Sequence, residues 1–257
     1  MAVATSDKTA ERAMSVLQLL FGDRLGRDVA VRLWDGSGAP ADDPRFELIV
    51  TTPFALRAAF TPPPDLNPGR AFAEGWIDVA GDLETAIDAM ERCLETLSKM
   101  TLARIGALLL GLPAPAKSDE RKLAGRRHSK SRDAAAISFH YDLPVALPDG
   151  DLVALDATLR CAESAGFEVR GTENLREHYA RTLRAWVSNL AANKAAAVDA
   201  TNVRTERVWR LYMTGSARGF ALGRMGLQQS LLAKPRADGS SRVPATRRDL
   251  YARPARN

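Results

Sequence analysis

The sequence predicts an α+β protein, mostly helical, with two foldable regions. Amphipathic stripes at helical spacing occupy most of the chain, the strand-like runs are few and short, and charge is segregated into blocks. The 257 residues are 46% hydrophobic and 26% charged, which suits a soluble globular chain with one to two cores. Residues 1–116 hold 11 basic and 16 acidic side chains, 117–132 hold 7 and 2, 133–233 hold 11 of each, and 234–257 hold 7 and 2. The net charge of +5 therefore describes two basic appendages on a neutral-to-acidic body, not a basic domain.

Residues 8–21 place Ala10, Met14, Val16, Leu17, Leu20 and Phe21 on one helical face, and Gly22 ends that helix. Val29–Trp34 alternates as a strand, Asp35–Gly38 reads as a turn, and Phe46–Val50 is a second strand, together a hairpin-like pair with a longer loop. Thr52-Pro53 opens a short helix to Phe60, which Pro62–Pro64 and Asn67–Gly69 cannot continue. Asp82 is placed to cap a helix carrying Leu83, Ile87, Met90, Leu94 and Leu97, and an apolar helix from about Leu102 to Leu110 stops at Gly111-Leu-Pro113. Residues 1–113 thus form the first region. Residues 114–132, charged and almost free of large apolar side chains, read as a basic linker.

The second region, residues 133–233, opens with Ile137–Leu143 and turns at Pro148-Asp-Gly150. A helix over 151–164 leads into a strand at 166–170. Leu175, Tyr179, Leu183, Trp186, Val187 and Leu190 make a continuous helical stripe, which assigns Tyr179 to the core. Residues 206–220 form another helix, with Val208, Leu211 and Tyr212 beside the small residues Gly215, Ser216 and Gly219, and Leu227–Leu232 is the last strand candidate. Residues 234–257 read as a flexible basic tail.

Several classes are excluded. Cys93 and Cys161 lack CxxC spacing, against a disulfide framework or a metal site and in favour of a reducing compartment. Asp7, Glu11, Asp23 and Asp28 do not suit a secretory signal, and no run approaches the ~20 apolar residues of a membrane span. A cytoplasmic chain follows, free to touch the inner face of the membrane. No Gly-x-Gly-x-x-Gly or Walker loop occurs.

Several stretches resemble one family. In the first region they are Val31-Arg-Leu-Trp-Asp-Gly-Ser37, Thr52-Pro-Phe-Ala-Leu56 and Ala71-Phe-Ala-Glu-Gly-Trp-Ile-Asp-Val-Ala-Gly-Asp-Leu83. In the second they are Ile137-Ser-Phe-His-Tyr-Asp-Leu143, Ala165-Gly-Phe-Glu-Val-Arg170, Glu173–Trp186 and Val208-Trp-Arg-Leu-Tyr-Met-Thr-Gly-Ser216. Together they resemble the cyclopropane-fatty-acyl-phospholipid synthases, methyltransferases that use S-adenosylmethionine on unsaturated lipid acyl chains. The resemblance implies an N-terminal lipid-associated domain followed by a Rossmann-like methyltransferase domain, with S-adenosylmethionine and bicarbonate as cofactors.

One departure dominates. His140-Tyr-Asp-Leu-Pro144 runs into Pro148-Asp-Gly150 after three residues, where the family places most of its cofactor-binding sheet. Several βα units of about 30 residues each are missing, so the second region reads as the remnant of that domain. The family's glycine loop and its bicarbonate-binding cysteine, glutamate and histidine fall in the absent stretch, and Cys161 lies too late to replace that cysteine. By resemblance Tyr212 is the tyrosine whose hydroxyl contacts bicarbonate, His140 and Tyr141 line the cofactor side, and Gln229 belongs to the substrate pocket. Three of these have a bland alternative: a packed helix tyrosine for Tyr212, local packing for His140 and Tyr141.

Two functions stay open on these grounds. One is acyl-chain methylation or cyclopropanation, with cofactor-binding residues supplied by another chain. The other is a non-catalytic lipid-binding or partner-binding protein. The expected partner is a phospholipid membrane surface, to which the 117–132 segment would add about 1 kcal/mol per charge. Nucleic acid is the least favoured partner, because no recognition fold accompanies the charges. Assembly into a homo-oligomer stays open. The two C-terminal strands are expected to have lost their sheet, leaving exposed edges and a less stable C-terminal half.

Overall fold

The computed structural model describes residues 8–60, 67–115 and 153–241, with 243, 244 and 246. Both His140 and Tyr141 lie outside the described residues, as do the strand-like run 137–143 and the basic segment 117–132. The architecture is mixed and mostly helical, as the stripes require.

The N-terminal part packs helices on a four-stranded sheet of order β2-β1-β3-β4. Helix α1 (Lys8–Phe21) buries Ala10, Ala13, Val16, Leu17, Leu20 and Phe21. Strands β1 (Val29–Arg32) and β3 (Phe46–Val50) are not a hairpin: they pair in parallel, Val29 opposite Phe46 through Arg32 opposite Ile49. Side-chain alternation fixes which face of a strand is buried but not the direction of its neighbour. The hairpin partner of β1 is the two-residue β2 (Gly38–Ala39). Asp35 closes that turn by accepting from the Ser37 amide and hydroxyl. A Cβ on Gly38 would stand 2.0 Å from the Val31 carbonyl oxygen, so only glycine fits there. With one edge of β1 taken, the returning chain adds β3 on the other.

Helices α2 (Ala55–Phe60) and α3 (Asn67–Ala73) follow. The run Pro62–Pro64 lies outside the described residues, whereas Asn67–Gly69 opens a helix rather than breaking one, with Pro68 in the first turn of α3, where its missing N–H costs nothing. Strand β4 (Ile77–Gly81) pairs antiparallel with β3 and was not foreseen as a strand. Gly81, at φ +97°, ends it, and Asp82 caps α4 (Leu83–Thr96) by accepting from the Glu84 amide and the Thr85 hydroxyl. Helix α5 (Lys99–Leu110) is capped by Ser98, and Arg57 donates to the carbonyls of Leu110 and Leu112 at its end.

In the C-terminal part, α6 (Leu155–Ser164) buries no residue. Strands β5 (Glu168–Asn174) and β6 (Gln228–Ala233) pair antiparallel, with an irregularity at Val169–Gly171. The two strands are therefore not orphans: each supplies the other with one ladder, which corrects the expectation of wholly lost pairing. Between them run α7 (Arg176–Ala192), the unforeseen α8 (Lys194–Ala200) and α9 (Val203–Ala221). Ala180, Leu183, Met213, Ala217 and Phe220 form the core between α7 and α9, and Tyr179 meets Phe220 edge-on at 5.1 Å. Trp186, expected on the buried stripe, is 47% exposed, because the stripe is wider than the single helix that covers it. This core has five buried residues against twenty-three in the N-terminal cluster. Little apolar burial holds the C-terminal part together by itself.

Candidate functional site: the seat of helix α9

Helix α9 carries two working faces. Arg204, Arg207, Leu211, Thr214 and Arg218 recur at three- and four-residue intervals and so share a side. That side lies on the N-terminal part, whereas Met213, Ala217 and Phe220 pack on α7. Thr214 is buried, its hydroxyl bonded to the Arg210 carbonyl, and Leu211 packs against the N-terminal core.

At the centre is Arg207, whose side chain is 7% exposed. Its Nε donates to the Phe72 carbonyl at 2.6 Å, Nη1 to Asp78 Oδ2 at 2.8 Å and Nη2 to the Ile77 carbonyl at 2.7 Å. The guanidinium carbon lies 4.4 Å from the Phe72 ring centroid, and that of Arg210 lies 4.9 Å from it. Arg210 Nη2 donates to the other Asp78 oxygen at 3.1 Å, while the Val79 amide donates to Oδ1 at 2.8 Å. Burial alone would raise the Asp78 pKa. The hydrogen bond and charge of Arg207, the Val79 amide and Arg210 outweigh it and hold the carboxyl below its ordinary value.

The pattern repeats along the helix. Arg204 pairs with Glu74 at 3.0 Å, and Arg218 bridges Asp88 at 2.8 Å and Glu91 at 2.9 Å. Arg224 joins Glu91 at 3.0 Å, and Arg184, from α7, grips Glu84 at 2.6 and 2.9 Å. Burial acts to raise Asp88 and Glu91, but their arginine partners lower both below the usual carboxylate range. In each of these pairs the arginine belongs to the C-terminal part and the carboxylate to the N-terminal part.

On α9 itself, a buried carboxylate is held by no hydrogen bond. Glu206 is 2% exposed, neither carboxylate oxygen has a hydrogen-bond partner, and the Arg210 Nε, 3.7 Å away, is likewise unbonded.

Of the residues singled out from the sequence, Tyr212 is half-buried on α9 with its ring edge-on to Trp209 at 5.7 Å, packed against the α7–α9 core. Gln229 is exposed on β6 opposite Glu173. Phe72, Asp78 and Arg207 were not marked as site residues. Phe72 and Asp78 sit within the Ala71–Leu83 element, and Arg207 stands one residue before Val208, just outside its element. The signal was available in the arginine spacing along α9, which an apolar-stripe reading passes over. Cys93 and Cys161 are free thiols, and burial raises that of Cys93.

Residues 124–230 match the family model for mycolic acid cyclopropane synthetase. Over this stretch the chain is similar to the cyclopropane synthases. The chain is 41% identical over 104 residues to a probable fatty acid methyltransferase of Pseudomonas putida, covering 40% of this chain and 26% of that protein. It is 33% identical over 82 residues to cyclopropane mycolic acid synthase 1 of Mycobacterium tuberculosis, covering 32% and 29%. Among solved structures, mycolic acid cyclopropane synthase CmaA1 complexed with SAH and CTAB is 27% identical, with 41% of this chain and 37% of that chain covered and a TM-score of 0.33. The matches thus span about a quarter to a third of these synthases.

S-adenosylmethionine in a doubly wound sheet sits outside the carboxyl ends of parallel strands, against a helix N-terminus. Among the described residues the C-terminal part offers one antiparallel pair, β5–β6, and the parallel pair β1–β3 of the N-terminal part is joined through β2 rather than a crossover helix. The described residues do not fit this cofactor.

Proposed function

We propose that the chain is a cyclopropane-synthase-type protein of the S-adenosylmethionine-dependent lipid methyltransferases that transfers no methyl group by itself. Its lineage acts on unsaturated phospholipid acyl chains, with bicarbonate as the base. What it keeps are the lipid-associated N-terminal domain, residues 1–113, and a truncated methyltransferase domain, residues 133–233. The observation that carries this reading is the C-terminal sheet, a single antiparallel pair among the described residues. The three residues between Pro144 and Pro148 leave no room for the parallel units that bind the cofactor. Calorimetric titration with S-adenosylmethionine up to millimolar concentration tests it: no saturable heat is expected, and saturable binding overturns it.

A second reading, docking on an anionic phospholipid surface, is favoured by α5. Met100, Ala103, Ala107 and Leu110 fall within about 80° around the helix axis. Met100 is 74% and Leu110 72% exposed, and Lys99 and Arg104 flank them. Such a stripe buries apolar side chains at a headgroup boundary while the cations meet anionic lipid. No helix among the described residues is long and apolar enough to cross a membrane, which leaves peripheral contact, here with the cytoplasmic inner face. Co-sedimentation with phosphatidylglycerol vesicles should be strong for the chain and weak for M100D/L110D. Indifference to anionic lipid sinks this reading.

A further inference from the structure

We propose that the face of the N-terminal part formed by Phe72, Glu74, Asp78, Glu84, Asp88 and Glu91 is a self-sufficient docking surface for the arginine-bearing helix α9. It holds that helix without the covalent connection through residues 116–152, and so accepts it from a second copy of the chain.

Four observations support this. The ion pairs between the two parts share one polarity, with arginine on the helix side and carboxylate on the N-terminal side. Opposed surfaces of one sign each attract from a distance and set a single register. At the middle, the Arg207 fork donates to two main-chain carbonyls as well as Asp78, a geometry that a point charge could not satisfy. Around it, Thr214 is buried and Leu211 packs on the N-terminal core, so the charged pairs flank a packed seam. Finally, the core of the C-terminal part holds five buried residues, so α9 owes much of its burial to the surface it docks on. A tether raises the effective concentration of the helix but contributes none of these contacts.

The test uses the full chain with a specific protease site inserted between Ala124 and Gly125, cut after purification. Size-exclusion chromatography at about 50 mM salt should return the two fragments in one peak, and about 500 mM salt should weaken their association roughly tenfold or more. R224A and R184A, at partly exposed positions, should weaken it further while the uncut variants keep their helical circular dichroism. Mixing cut chain with a labelled cut copy should exchange fragments. The proposal is overturned if the fragments elute apart at low salt, if either unfolds or precipitates after cutting, or if association ignores both salt and the D78N/E91Q substitution.

Discussion

Arg207 on α9 and Asp78 on β4 are 129 residues apart in the chain, and their Nη1 and Oδ2 atoms are 2.8 Å apart in the fold. The pair is the point at which the C-terminal part is fixed to the N-terminal sheet, since the same guanidinium also donates to Phe72 and Ile77.

Removing it should be costly. R207M removes the donor to Asp78 Oδ2 and to two carbonyls, leaving Asp78 only Arg210 and the Val79 amide, and breaking such a pair by deleting one partner costs about 3 kcal/mol. R207K should not rescue it, because an ammonium cannot reproduce the three-way fork. Urea unfolding monitored by circular dichroism reads this as a lowered midpoint; a loss under about 1 kcal/mol contradicts it.

Acid should loosen the same seam. Asp78, Asp88 and Glu91 have folded pKa values below their ordinary ones. A carboxylate depressed in the folded state contributes stability that is fully present above its unfolded value, about 4, and is lost as pH falls through the folded value. The urea midpoint should therefore hold from pH 7 to about 5 and drop below about pH 4. D78N should flatten that acid limb, and an unchanged limb would remove Asp78 from the explanation.

Two arginines that share Glu91 should differ. The Arg218 side chain is 13% exposed and that of Arg224 is 54% exposed. R224A should cost no more than about 0.5 kcal/mol, as exposed ion pairs do. R218A, which also abandons Asp88, should cost about 1–3 kcal/mol. Equal losses in parallel urea titrations would refute the distinction.

Glu206 should be dispensable for stability. Its oxygens have no hydrogen-bond partner, and Arg210 keeps Asp78 without it. E206M fills similar volume with an apolar chain and removes a carboxylate whose burial no hydrogen bond offsets, while Arg210 keeps Asp78 as its counter-charge, so stability should hold within about 1 kcal/mol. A fall of more than about 1 kcal/mol in the same titration would show that the Arg210 contact at 3.7 Å matters more than its geometry suggests.

Local signals in the sequence were strong wherever a single element decides its own ends. Asp82 as a cap, Gly22 as a stop and the stripe of α1 all stand as the residues dictate, because caps and stripes act within one or two turns. The motifs between residues 137 and 216 were equally legible, and the match over residues 124–230 supports the family they resemble. Trp186 shows the limit: the stripe gave its face, but only a neighbouring helix could cover it.

What the sequence by itself determined was the mixed, helix-rich class, most of the helices and the similarity of residues 124–230 to the cyclopropane synthases, since all of these rest on short-range spacing. What only the tertiary structure decided was pairing at a distance. The parallel union of β1 with β3, the mutual rescue of β5 and β6, and the seating of six arginines on five carboxylates each join residues far apart in the chain. Period and propensity say which side of an element faces inward; they are silent on which partner waits there, because that choice depends on how the rest of the chain has already packed.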